Sequence, residues 1–334
     1  MTIIINKVSF GETRFSLDFR TAHPTVKKLL TISALAAATA LALSGCAPAS
    51  TDGGATGEPT NESGVRIVAS TNVYGDIAEQ IGGDRVSVTS IIDSPDKDPH
   101  EYEADARTQL ALSKAQLVIE NGGGYDDFVD TMLSAADNKI APVLNAADIS
   151  GYDQKPAEGE FNEHMWYDFP TMQKLSDELV GQLSAIDPEG AESYEKNAEA
   201  FEGQLAALEQ QEQDIKASFD SAGAAITEPV PLYLLDTAGL VNKTPDAFSE
   251  AIEEGTDVPA DVLKQTTELF SSGEVKVLVY NEQTEGSQTE LVLTAAKDAG
   301  VPVVPVTETL PEGTDYISWM TTNLNALQGA LSGK

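Results

Sequence analysis

The sequence predicts an α/β fold of two (β/α) lobes with mainly parallel sheets, joined by one long rigid α-helix and enclosing a cleft. Three observations carry this expectation. Short apolar runs alternate with amphipathic stretches from Val65 onward, the βαβα order that builds a parallel sheet covered by helices. The alternation stops at Asp187-Pro188, where a charged helical pattern runs without interruption to Ser218. It then resumes and continues to the C-terminus.

In the first lobe, "VRIVAST" is a buried-strand pattern, followed by a helical stretch from Tyr74 to Ile81. "VSVTSII" and "QLVIEN" are further strands, with the helix "ADARTQLALSKA" between them. Gly122-Gly123-Gly124 closes the third strand, a helix runs from Tyr125 to Ala136, and a weaker fourth strand ends at Val143. A further helix begins near Tyr167. The connector places Tyr194, Phe201, Leu205, Leu208 and Ile215 among many charges. At ~30 residues it would measure about 45 Å, too sparse in apolar residues for a sustained coiled coil. In the second lobe "GAAIT", "VKVLVYN" and "VPVVPVT" are strands. Helices are expected from Val230 to Gly239, over "PADVLKQTTELFSS", over "QTELVLTAAKDAG" ending on Gly300, and from Asp315 to Leu331 with Thr314 as N-cap. Tyr233 and Trp319 read as core of this lobe, and Trp166 and Tyr167 as core or cleft wall.

The 334 residues suffice for two domains at roughly 150 residues each. A hydrophobic content of 41% supports a soluble body, and the net charge of −34 excludes nucleic acid, which needs clustered Lys and Arg. The same charge opposes docking of the protein surface on anionic lipid. The single cysteine, Cys46, precludes an intramolecular disulfide or a thiolate metal cluster. Lys27-Lys28, the apolar "LLTISALAAATALAL" and the closing "LSGC" resemble a bacterial lipoprotein signal in which Cys46 is lipidated and becomes the first mature residue. The apolar run is short of the ~20 residues needed to span a membrane. The residues before Val26, His23 included, are superfluous to such a signal, and "APASTDGGATGEPTNESG" reads as a flexible tether. The resulting organisation is a signal segment over 1–45, a tether over 46–64, an N-terminal lobe over 65–186, a connecting helix over 187–219 and a C-terminal lobe over 220–334.

Outside the signal segment two histidines remain, and both stand beside carboxylates, in "DPHEYEAD" and "NEHMWYD". His100 lies just beyond the second strand and His164 precedes a helix; Glu228 and Glu308 directly follow strands. In open α/β sheets ligands collect at the carboxyl ends of the strands. Two imidazoles and two carboxylates would suit Zn²⁺ or Mn²⁺ better than Ca²⁺ or Mg²⁺, and would neutralise the ion they held. Two solvated acidic loops explain the same residues, because Asp and Glu are abundant throughout, and Glu101 and Glu103 read as solvated neighbours. Asn121 with the three glycines could cradle an anion or permit a tight turn. Asp168 could orient His164 or begin its helix.

The segments "DPHEYEADARTQLALSKAQLVIENGGGYDDF", "NEHMWYD", "ITEPVPLYLLDTAGL" and "PVVPVTETLPEGTDYISWM" resemble the zinc/manganese solute-binding lipoproteins of ABC importers, from about Val65 to the C-terminus. The resemblance implies a monomeric, lipid-anchored receptor on the outer side of the bacterial cell membrane. It would capture one divalent metal ion, Zn²⁺ or Mn²⁺, in the cleft between its lobes and deliver it as cargo to a cognate ABC permease. It also implies His100, His164, Glu228 and Glu308 as the metal ligands; Asp168 and Asn121, from their positions alone, are candidate outer partners. Departures exist: the third ligand is commonly His in zinc importers and Glu or Asp in manganese importers, and the fourth is usually Asp where this chain has Glu308. The His-rich loop of many zinc receptors is absent. Alternative readings are a secreted metal-dependent hydrolase, which would need an open position for water, and a surface adhesin stabilised by its metal. An organic-solute receptor is disfavoured by an aromatic content of 6%.

Overall fold

The computed structural model describes residues 64–95, 102, 105–157 and 159–333. Cys46, the tether before Gly64, His100, Glu101 and Glu103 lie outside the described residues.

The first lobe runs β1 (Val65–Thr71), α1 (Asn72–Gly82), β2 (Val86–Ile92), α2 (Ala106–Lys114), β3 (Leu117–Glu120), α3 (Phe128–Ala135), β4 (Val143–Asn145), α4 (Ala146–Ser150) and α5 (Phe169–Ile186). Next comes the long helix α6 (Ala191–Phe219), entered through a 3-10 turn at Pro188–Gly190. The second lobe runs β5 (Gly223–Ile226), α7 (Leu232–Thr237), β6 (Val241–Asn242), α8 (Asp246–Glu253), α9 (Ala260–Ser272), β7 (Val277–Asn281), α10 (Ser287–Asp298), β8 (Val303–Val306) and α11 (Tyr316–Leu331). All strand pairs are parallel, and the two sheets have the same order, β2-β1-β3-β4 and β6-β5-β7-β8. In each, the chain reverses its direction of travel between the two central strands, β1 and β3 or β5 and β7. That reversal opens a crevice at their carboxyl ends.

Side-chain alternation assigns the two faces of each sheet to different cores. Ile67 and Ala69 of β1 and Leu117 and Ile119 of β3 join one apolar cluster, whereas Val68 and Val118 join another beneath α2 and α3. In the second sheet Ala224, Ile226, Val277 and Val279 enter the same first cluster, while Ala225, Leu278 and Tyr280 face α9 and α10. The inner faces of both sheets therefore share one continuous core, filled by α1, α5, α6 and α11. Helix α6 packs against α1 and α5 on one side and α7 and α11 on the other. The expected connector is a spine of this shared core. Its stripe of Tyr194, Ala198, Phe201, Leu205, Leu208 and Ile215 is buried along its length. Among the described residues no helix is long and apolar enough to cross a membrane.

Several local expectations change. The fourth strand starts at Val143, where the sequence pattern ends it. β6 and α8 were not expected; β6 has only two residues, too few to show a period. The N-cap of α11 is Asp315, whose carboxylate accepts from Ser318 N at 2.8 Å; Thr314 instead bonds back to the Pro311 carbonyl. Tyr233 is an interlobe contact: its ring stacks on Tyr152 at 5.4 Å and its hydroxyl donates to the Asn162 carbonyl at 2.7 Å. Trp319, Trp166 and Tyr167 are buried as expected.

Candidate metal centre

Two of the proposed ligands meet at the crevice of the second sheet. Glu228 follows β5 by two residues, Glu308 follows β8 by two, and both side chains are buried. Between them lies Asn281, the last residue of β7. Its Nδ2 donates to Glu228 Oε2 and, at 2.7 Å, to Glu308 Oε1. The Glu308 loop is set by Gln283, whose Oε1 accepts from the backbone of Glu308 at 2.6 Å and of Thr309 at 3.0 Å. Gln283 Nε2 then donates to the Pro95 carbonyl at 3.1 Å, tying this loop to the end of the segment that leads toward His100. From the first lobe, the Tyr125 hydroxyl donates to Glu308 Oε2 at 3.3 Å. Burial, followed by the Glu308 charge, holds the Tyr125 phenol well above its usual pKa, so it remains a donor.

His164 is 1% exposed and enters from the loop before α5. Its Nδ1 lies 2.7 Å from Asn162 Oδ1, which also accepts from the His164 backbone N–H. Asn162 Nδ2 donates to the Pro229 carbonyl at 3.2 Å, so the amide cannot flip, and its oxygen faces the imidazole. The proton of a neutral His164 therefore belongs on Nδ1 and the lone pair on Nε2, the arrangement that readies an imidazole for a metal. Nε2 lies 3.7 Å from Glu253 Oε1, at the end of α8. Tyr125 links the two halves, its ring 6.0 Å edge-on from that of His164 and its hydroxyl on Glu308. Trp166 packs against both rings at 5.2 and 4.9 Å and walls the site.

The two residues expected to support the ligands differ in role. Asn121 accepts from the Tyr74 hydroxyl and donates through Nδ2 to the carbonyls of Gly122 and Glu163, each at 2.8 Å. It fixes the backbone beside His164. Asp168 starts α5: its Oδ2 accepts from Thr171 N at 3.1 Å and from Thr171 Oγ1 at 2.5 Å. The glycine run does cradle an anion, but one belonging to the chain. The Asp126 carboxylate accepts from Asn121 N at 2.7 Å and Gly122 N at 2.8 Å. Burial still raises the Asp126 pKa against those bonds. Gly122 needs its lack of a side chain, since φ is 75° and a Cβ would meet Asn145 Nδ2 at 2.2 Å. Gly122→Ala is therefore expected to destabilise the protein by at least about 1–2 kcal/mol from the left-handed backbone alone. Urea denaturation measures this, and an unchanged midpoint would contradict it.

A cleft of about 760 Å³ opens beside these residues, lined by Glu160, Glu163, Glu253, Glu254, Asp257 and Glu285 as well as Gln283 and Gly124. Its acidic walls favour cations over anions near the mouth. Among the described residues no group of three or more His, Cys, Asp and Glu side chains is disposed to hold a metal ion. His164, Glu228 and Glu308 are all buried and are linked through Tyr125 and Asn281. Sequence reasoning missed Asn281, Asn162, Tyr125, Gln283 and Glu253. A signal existed for Asn281, which ends the expected strand "VKVLVYN" and so obeys the strand-end rule that selected Glu228 and Glu308.

The model of the family described as zinc-uptake complex component A, periplasmic, matches residues 67–330. The manganese-binding lipoprotein MntA of Halalkalibacterium halodurans is 30% identical over 159 residues, a match that spans 46% of this chain and 51% of that protein. The metal ABC transporter substrate-binding lipoprotein FimA of Streptococcus parasanguinis is 24% identical over 325 residues, 92% of this chain and 100% of that protein. Among solved structures, the SBP FpvC of Pseudomonas aeruginosa in complex with Mn²⁺ superposes with a TM-score of 0.67. It is 21% identical, and the match covers 80% of this chain and 99% of the other, so it establishes a common fold.

Proposed function

The chain belongs to the family of the periplasmic component A of zinc-uptake complexes, and from that membership we propose that His100, His164, Glu228 and Glu308 bind one Zn²⁺ or Mn²⁺ ion as cargo. The protein acts as a substrate-binding receptor of a metal ABC importer, and a cognate permease takes the ion from it. The observation that carries the ligand assignment is the meeting of two buried carboxylates, Glu228 and Glu308, beside a buried imidazole already oriented through Nδ1. His100 would complete the set from the segment after Pro95. Two imidazoles and two carboxylates accept either ion, and Zn²⁺ binds the more tightly of the two by the Irving–Williams order. Relatives named for manganese and for metal in general fit the same range. Lipidation at Cys46 would hold the body on the outer face of the membrane.

The shared core bears on how the ion leaves. Separating the lobes would expose the apolar faces of α1, α6 and α11, and a large hydrophobic interface opposes such motion. Release would then come from rearrangement of the ligand loops while α6 stays fixed.

Metal removal tests the assignment. Chelator-treated protein is expected to stay folded by circular dichroism and to rebind one equivalent of Zn²⁺ or Mn²⁺ by calorimetry. At an ion concentration of 100 Kd the gain in stability should reach about 2.7 kcal/mol. Unfolding on chelation would favour a structural ion, as in a metal-stabilised adhesin, and absence of rebinding would remove the receptor reading.

A further inference from the structure

We propose that the amino-terminal edge of the first sheet is a contact surface for the anionic phospholipid headgroups of the membrane that carries the anchor. The proposal rests on the reading of Cys46 as lipidated, and no metal ligand enters it.

Topology places the surface. The first sheet is parallel throughout, so all its strands enter at one edge and leave at the other. At the entry edge lies an open groove of about 810 Å³, lined by Arg66 of β1, Ser87 of β2, Lys114 at the end of α2, and Ile140 and Pro142 ahead of β4. The chain enters the body at this same edge. Gly64 is packed so closely there that a Cβ would meet the Arg85 carbonyl at 2.8 Å, just before β2. The 17 residues between Cys46 and Gly64 can reach at most about 65 Å at full extension. An anchor at that distance holds the lipid surface at roughly millimolar effective concentration, where weak contacts count. The crevice lies at the opposite, carboxyl ends of the strands.

The lining differs in charge from the rest of this acidic chain. It contains two cations and no carboxylate. Arg66 Nε donates to the Lys114 carbonyl at 2.8 Å, which sets the guanidinium beside the end of α2. Among the described residues neither Arg66 nor Lys114 has an ion-pair partner. Lys139 adds a third cation next to Ile140; its pair with Asp137 at 3.2 Å is exposed on both sides and weak. Ile140 is 93% exposed, and Val143 is exposed three residues on, so an apolar tip stands among the cations. Arg and Lys bind phosphate oxygens through charge-assisted bonds. An exposed isoleucine gains by leaving water for the headgroup boundary. The net charge of −34 opposes adhesion of the whole body, but salt confines that repulsion to about 8–10 Å. Acids such as Glu253, Glu254 and Asp257 line the cleft instead of this edge. Attraction at the entry edge and repulsion elsewhere therefore favour one posture, with the crevice turned to the medium.

The test uses the lipidated full chain in vesicles of phosphatidylglycerol with phosphatidylcholine, or of phosphatidylcholine alone. Ile140→Cys carries a polarity-sensitive fluorophore, and Leu291→Cys on α10, also exposed, is the control. Emission at position 140 is expected to shift to the blue only on the phosphatidylglycerol vesicles, and to revert in about 0.5 M salt. Lys114→Glu and Lys139→Glu, each added to the Ile140→Cys chain, should lower the ratio of contacting to free protein by about fivefold or more. That is the size expected for one cation near an anionic surface. Circular dichroism checks that the variants fold. Equal emission at positions 140 and 291 on these vesicles, or a shift indifferent to both lysine changes, would overturn the proposal. A blue shift without vesicles that grows with protein concentration would make the patch a contact between copies instead. Lys114-dependent binding of inorganic phosphate, with no shift on vesicles, would make the groove a site for free anions. Labelling of Cys46 in the parent, or release of the parent from vesicles in buffer, would overturn the lipidation reading beneath the proposal.

Discussion

Alanine at His164 is expected to weaken capture of the divalent ion by more than about a hundredfold while leaving the metal-free fold intact. The magnitude follows from comparison with a milder change. Removing an outer partner that merely orients a metal-bound imidazole lowers metal affinity by about 10- to 100-fold. If His164 is a ligand as proposed, that partner would be Asn162, whose Oδ1 lies 2.7 Å from Nδ1. Deleting the ring removes the donor nitrogen as well as its orientation, so the loss must exceed that of Asn162→Ala. The two variants form a graded pair: Asn162→Ala should fall in the 10- to 100-fold range and His164→Ala beyond it. Glu253→Gln gives a further comparison. Its carboxylate lies 3.7 Å from His164 Nε2, on the side where a metal would bind. If Glu253 only attracts cations to the mouth, the glutamine variant should retain capture with a slower association at low salt. Calorimetry and stopped-flow mixing separate these outcomes. Parent-like affinity in His164→Ala would show that the imidazole is not a ligand, and a loss in Glu253→Gln as large as in His164→Ala would make Glu253 one.

How far the sequence reveals this arrangement depends on the range of the interaction. β1 and β3 were legible because each is a run of apolar residues long enough to stand out, Val65–Thr71 and Leu117–Glu120. β4 and β6, with three and two residues, are held by pairing to a neighbouring strand and carry almost no pattern of their own. The apolar stripe of α6 was visible, but not what it touches. Leu205 and Leu208 read equally well on a strut between lobes or on a spine within a shared core, and only tertiary packing decides. The site divides in the same way. Glu228 and Glu308 stand out because they are acids at strand ends, whereas Asn281 at the end of β7 draws no notice because an amide is uncharged. Asn162 lies two residues from His164 yet acts through a ring nitrogen whose direction no spacing rule supplies. Asp168 had two possible roles, and the cap bond to Thr171 accounts for it once the start of α5 is known.

Glu212 was hidden for the opposite reason: in a helix so rich in acids, one more glutamate attracts no attention. The structure sets it on the buried stripe of α6 between Leu208 and Ile215, at 1% exposure, with no hydrogen-bond partner for Oε2 among the described residues. Burial first, then the negative charges of Glu209 and Asp168, push its pKa from 4.5 up to about 9. Near neutral pH the group is therefore a protonated acid inside the shared core. Glu212→Met, which keeps an unbranched side chain of similar length and removes the unsatisfied oxygen, is expected to stabilise the protein by about 1–3 kcal/mol at pH 5. The gain should then grow with pH. Between 4.5 and about 9 the folded state keeps a proton that the unfolded state has lost, so stability is fully present below the lower value and declines as pH rises through the higher one. One proton corresponds to at most about 1.4 kcal/mol per pH unit. Methionine abolishes that contribution, so the stability curves of parent and variant should diverge steadily from pH 5 to 9 and run parallel above it. Urea denaturation at half-unit steps of pH measures the divergence. Curves that stay parallel from pH 5 to 9 would show that Glu212 does not titrate in this range, and a less stable variant at pH 8 would show that its carboxyl has a partner within the core.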